Sequence, residues 1–114
     1  MKLIKAIVIT SLFSVAALAS AKPAKCLVQS EGDTLYSGTC NFTAGKGGSF
    51  TLTKAKGSRF IDGVTSISVT KYAQEDAVVS AITTGGNSSR WGEVYRDTNT
   101  PACWFNRSLR VCAW

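Results

Sequence analysis

The sequence predicts an all-β domain, a small antiparallel sandwich or barrel of about seven or eight short strands with two disulfides. Three observations predict it. Short β-branched or aromatic runs recur after residue 21, separated by breaks that carry Gly, Asn or Asp. No ten-residue stretch there shows a 3.6-residue apolar stripe. Four cysteines and no histidine stand in a chain of 114 residues, room for one small domain.

Residues 1–21 read as a secretory signal peptide. Lys2 and Lys5 give a positive start, and an apolar stretch follows from Ala6 to Leu18, interrupted by Thr10, Ser11 and Ser14. Ala19-Ser20-Ala21 supplies the small residues that a signal peptidase accepts. The apolar part is shorter than the ~20 residues that span a bilayer. No cysteine directly follows Ala21, which argues against a lipid anchor there. Cleavage after Ala21 would leave residues 22–114 as a single domain of 93 residues. It would remove two lysines from the net charge of +6, leaving +4, a mild basic excess. The expected location is periplasmic or secreted, with no transmembrane segment in the remaining chain.

The elements follow in order. Residues 22–25 are expected to be a loose tail. Residues 27–30 form a first strand. Residues 34–43 form a second, where the period of two puts Tyr36, Cys40 and Phe42 on one face. Ala44-Gly45-Lys46-Gly47-Gly48 is a hairpin turn; it lacks the spacing of a phosphate-binding loop, and no helix follows. In residues 49–54, Phe50 and Leu52 alternate with Ser49, Thr51 and Thr53. After the break at Lys56-Gly57-Ser58, residues 64–72 alternate again, with Thr65, Ile67 and Val69 facing one way. Glu75-Asp76 turns the chain into residues 77–83, where Val78 and Val79 weigh against a helix. Residues 84–89 contain no apolar side chain and form a loop. Residues 91–96 resume strand character. Residues 103–105 and 109–114 make a closing hairpin after a loop at 97–101.

Export and an even cysteine count predict two disulfides. Three connectivities are open. Nearness in sequence and intervening turn signals favour Cys26–Cys40 and Cys103–Cys112. Each would close a short loop, worth about 3 kcal/mol in the chain-entropy model. A zinc site lacks both the C-x2-C spacing and a histidine, and no cofactor is expected.

Functional signals gather near the C-terminus. After residue 21, four of five arginines and all three tryptophans fall within residues 90–114. Arg90, Trp91, Arg96, Trp104, Arg107 and Arg110 form the candidate binding set, because Arg and Trp dominate binding hot spots. The competing reading places Trp91 and Trp104 in the core. A second candidate is an anion patch of Lys46, Lys54, Lys56 and Arg59, against a solvated edge strand as the plain alternative. The acids sit mostly in turn signals. Glu93 and Asp97 flank one strand and are the least implausible catalytic pair, but no nucleophile–base set assembles around them, so an enzyme is not expected. Asn41, Asn87 and Asn106 each begin an N-x-[ST] triplet, which matters only in a eukaryotic host.

Asn87-Ser88-Ser89-Arg90-Trp91-Gly92, then Arg96, Ala102-Cys103-Trp104 and Val111-Cys112-Ala113, resembles a pattern in small exported bacterial four-cysteine proteins of unassigned function. The resemblance implies an envelope or secreted location and no mechanism. The leading expectation is a binding protein that docks a protein partner, inhibitor-like, through the Arg/Trp set. The alternatives are an electrostatic binder of anionic glycan, lipopolysaccharide or nucleic acid, and a secreted toxin or small hydrolase.

Overall fold

The computed structural model describes residues 21–57 and 59–114. The leader assigned to residues 1–21 lies, but for Ala21, outside the described residues. Eight strands follow in chain order: β1 (Lys22–Ser30), β2 (Asp33–Ala44), β3 (Phe50–Lys54), β4 (Val64–Lys71), β5 (Asp76–Thr83), β6 (Ser88–Arg96), β7 (Cys103–Phe105) and β8 (Leu109–Ala113). Each pairs antiparallel with the next, and β8 pairs with β1, closing a barrel. Closure removes the exposed edges that a small open sheet would present. Among the described residues no helix is long and apolar enough to cross a membrane.

The period of two sorts the side chains. Val28, Leu52, Ile67, Val69, Val79, Val94 and Val111 are fully buried inside the barrel. Trp104 from β7 and Cys40 from β2 complete a core to which every strand contributes. An eight-stranded barrel is just wide enough for side chains to fill. Tyr36 and Phe42 pack against that core on the face expected for them.

The disulfides are Cys26–Cys40 and Cys103–Cys112. The first joins β1 to β2 within the core cluster. The second links residues directly opposite on β7 and β8, on the face away from Trp104 and Val111. All four thiols are consumed.

Two local expectations are corrected. Residues 22–25 are not a loose tail but the start of β1. Because β2 is twelve residues long, it offers partners as far as Lys22↔Phe42. Lys25 also exchanges both backbone hydrogen bonds with Trp114, at 3.2 and 2.8 Å. Thr65 does not share the inward face of Ile67 and Val69. The register skips it between Val64 and Ser66, and its hydroxyl instead donates to the Ile82 carbonyl at 3.1 Å.

The up-and-down order gives the barrel two distinct rims. The upper rim carries the β1–β2, β3–β4, β5–β6 and β7–β8 connections. The lower rim carries the other three connections, together with the start of β1 and the end of β8. Phe60 and Ile61 of the β3–β4 connection pack against the core from the upper rim, with the Phe60 ring 5.2 Å from that of Tyr36.

Candidate binding rim

All three register breaks lie towards the upper rim. Val28 faces Tyr36 while Gln29 faces Thr34, which leaves Leu35 unpaired. Val79 faces Gly92 while Ser80 faces Arg90, which leaves Trp91 unpaired. The third is the break at Thr65. A bulge frees its extra residue from strict in-and-out alternation and re-aims the side chain. The second bulge needs glycine beside it, because Gly92 has φ +139°.

Leu35 and Trp91, freed in this way, line the same cleft of about 360 Å³. Leu109 completes its apolar wall, and Ser30, Glu31, Asn106 and Ser108 supply its polar side. The polar side is held by backbone-directed hydrogen bonds. The Asn106 amide donates to the Glu93 carbonyl at 2.7 Å and accepts from the Ser108 N–H at 2.7 Å. The Glu31 N–H donates to the Ser108 carbonyl at 2.7 Å, tying the β1–β2 turn to the β7–β8 turn. Glu31 and Gly32 form a two-residue hairpin turn with φ of +52° and +84°. Positive φ at both positions is the condition of a type I′ turn, in which Asn or Asp is the usual first residue.

The structure divides the predicted Arg/Trp set. Trp91 lines the cleft and is also partly buried against the barrel core. Arg107 lines an adjoining notch of about 210 Å³, which shares Asn106, Ser108 and Leu109 with the cleft. Arg90 is exposed at the same rim and pairs with Glu93 at 3.6 Å. Arg110 faces outward over the Phe105 ring at 5.1 Å, and its Nη1 donates to Asp97 at 3.0 Å.

Trp104 is turned into the core, which corrects the expectation of an exposed tryptophan there, and Arg96 is engaged against it. Trp104 is 2% exposed, because it faces inward opposite Val111. The Arg96 guanidinium lies 4.3 Å from the centre of the Trp104 ring system, donates to the Pro101 carbonyl at 3.0 Å and pairs with Glu75 at 3.6 Å. Together they form a plug at the lower rim, where the cation stacks on the indole face.

The four-residue anion patch is also divided. Lys46 lies in the short 3-10 turn at the lower rim, whereas Lys54 ends β3 at the upper rim. Five strand residues separate the two ends by roughly 15 Å. Lys54 and Arg59 line a cleft of about 460 Å³ at the upper rim, and Lys56 lies in the same connection. Arg59 also lines a cleft of about 600 Å³ beside residues 34–39 of β2.

Glu93 and Asp97 are both engaged by structural partners. Glu93 accepts from the Tyr72 hydroxyl at 3.3 Å and pairs with Arg90. Burial against its surroundings, and then the Glu93 charge, raise the Tyr72 phenol above its ordinary value. One oxygen of Asp97 accepts from the N–H groups of Asn99 and Thr100 at 2.9 and 3.3 Å, and the other accepts from Arg110. The Asn99 N–H is the main cause of a lowered Asp97 carboxyl, with Arg110 and the Thr100 N–H adding to it against some desolvation. A carboxylate lowered in the folded state stabilises the fold above its unfolded value near 3.9, and that contribution fades as pH falls through the lower folded value. Asp97→Asn is therefore expected to flatten the acid limb of the stability profile, checked by urea unfolding between about pH 5 and 2.

The residues that sequence reasoning missed are Glu31, Leu35 and Asn106. In the sequence Asn106 belongs to a turn signal and an N-x-[ST] triplet, and Leu35 is one residue of a strand. The available signal was Glu31-Gly32, a glutamate where a tight hairpin favours asparagine or aspartate. Comparison with protein families, with curated proteins and with solved structures finds no match for this chain.

Proposed function

We propose that the chain is a small exported binding protein, periplasmic or secreted in a bacterium, that docks a protein partner through its upper rim. The observation that carries this reading is the pair of bulges that bring Leu35 and Trp91 into one open cleft. Trp in a partly formed pocket is a common anchor of protein interfaces, and exposed arginines such as Arg90 and Arg107 suit the polar surround. The two disulfides are consistent with an extracellular or periplasmic location.

The test is capture from host envelope extract by the oxidised protein at low and high salt. A protein partner is expected to stay bound at high salt. Trp91→Ala should weaken it by about 2 kcal/mol or more, a loss of roughly thirtyfold. Arg90→Ala should have a smaller effect, since Arg90 is exposed. Circular dichroism is the check that each variant remains folded.

A second reading rests on Lys54, Lys56 and Arg59, which gather at the same rim and enter none of the three ion pairs among the described residues. It makes the rim a binder of anionic polymer. Its signature is capture that salt releases and that Trp91→Ala leaves unchanged.

A further inference from the structure

We propose that the Trp91 cleft accepts a basic side chain, lysine or arginine, presented by the protein partner. The inference rests on the docking reading and names the chemistry that the cleft selects. At about 360 Å³ the cleft is at the small end of ligand pockets, suited to an inserted side chain.

The charge in the cleft points to a cation. Glu31 is its one ionisable lining residue, and none of the three ion pairs among the described residues engages Glu31. No arginine is among the residues that line the cleft. Arg90 pairs with Glu93, and Arg107 lines the adjoining notch. The Asn106 amide is already engaged on both its nitrogen and its oxygen.

The walls match the rest of such a side chain. Leu35 and Leu109 offer apolar surface to the methylene stem, as long basic side chains pack when only the head is polar. Trp91 and Glu31 both line the cleft, and in the proposed complex they would supply an aromatic surface and a charge-assisted hydrogen bond to the cationic head. Ser30 and Ser108 hydroxyls are further acceptors for its remaining N–H groups.

The backbone supports a role for Glu31 beyond the turn. It is the one residue other than glycine with positive φ among the described residues. A glutamate in that conformation is strained where asparagine would be accommodated, and such strain recurs at ligand-holding positions. The strain gives one substitution two opposite effects. Glu31→Asn should raise the melting temperature by about 2–5 °C through a better turn, while it removes the charge that holds the cation. Glu31→Gln removes the same charge and keeps the strain.

The probe is N-acetyl-lysine methylamide, with the arginine analogue alongside, titrated into the oxidised protein and followed by the assigned Trp91 indole N–H resonance. Saturable millimolar binding is expected. It should be at least tenfold weaker for the uncharged norleucine analogue, and at least tenfold weaker in both Glu31 variants. Equal binding of the norleucine analogue would overturn the proposal, as would unchanged binding in Glu31→Gln or no saturable shift with either basic probe. Partner capture separates this inference from the docking reading. A partner lost on Trp91→Ala but retained by Glu31→Gln leaves the docking reading standing and removes the basic side chain.

Discussion

Trp104→Ala should destabilise the protein by about 3–5 kcal/mol, the range for removing a buried aromatic from a packed core. The side chain is 2% exposed and faces Val111 across the β7–β8 hairpin. Its loss leaves a cavity that β7 cannot easily close, because Cys103–Cys112 holds the backbone of that hairpin. The substitution also strips the Arg96 guanidinium of its stacking face at the lower rim. A domain of this size has total stability of only about 5–15 kcal/mol, so the variant is expected to be barely folded at 37 °C. Thermal unfolding by circular dichroism should show a fall in Tm of more than about 12 °C. Trp104→Phe keeps an aromatic ring and should retain much of the difference. A Trp104→Ala protein as stable as the parent would remove Trp104 from the core.

The Cys26→Ala/Cys40→Ala protein should lose about 3 kcal/mol, and the Cys103→Ala/Cys112→Ala protein a little less, about 2.5 kcal/mol. The sequence separations are 14 and 9, and the closed-loop entropy grows slowly with that length. The two losses should nevertheless differ in kind. The β6–β7 junction is the thinnest seam of the barrel, with only Tyr95↔Phe105 and Arg96↔Trp104 in register. β7 itself is three residues long, and Cys103–Cys112 reinforces its three-pair ladder with β8. Without that bridge, amide exchange should accelerate first in β7 and the end of β6, ahead of global unfolding. Without Cys26–Cys40, protection should fall together across β1 and β2, which share the longest ladder in the barrel. Urea midpoints measure the first difference, and site-resolved hydrogen exchange measures the second.

These expectations bear on the site as well. The Trp91 cleft is built from the β1–β2 hairpin, β6 and the β7–β8 hairpin, so its shape depends on the barrel being closed. Opening of the β6–β7 seam should disperse the cleft before the β2–β5 side of the barrel is affected. Loss of Trp91-dependent partner binding in the Cys103→Ala/Cys112→Ala protein, while most of the sheet persists, would be the functional consequence.

The site was only partly legible in the sequence. The concentration of Arg and Trp in residues 90–114 located the right quarter of the chain. It could not separate Trp91 from Trp104, because which face a strand residue takes depends on register, and the bulge at Trp91 leaves no mark in the sequence. Trp104 keeps the inward parity of its hairpin and joins the core. Trp91 is the extra residue of a bulge and is freed from that parity. Likewise Lys46 and Lys54 are near in sequence, yet Lys46 lies in the turn before β3 and Lys54 ends that strand at the opposite rim.

The all-β class, the position of nearly every strand and the inward faces of β2 and β3 were legible in the sequence, which also favoured the disulfide pairing that the structure shows. These depend on period-two patterning, turn chemistry and short cysteine separations, which are local properties that a single chain displays directly. The tertiary structure decided that the sheet closes by pairing β8 with β1, that residues 22–25 join that closure, and that three bulges fall towards one rim. It also decided that Glu31, Leu35 and Trp91 meet across a cleft. Each of those outcomes depends on register between strands distant in sequence, where one unpaired residue changes which way a side chain points.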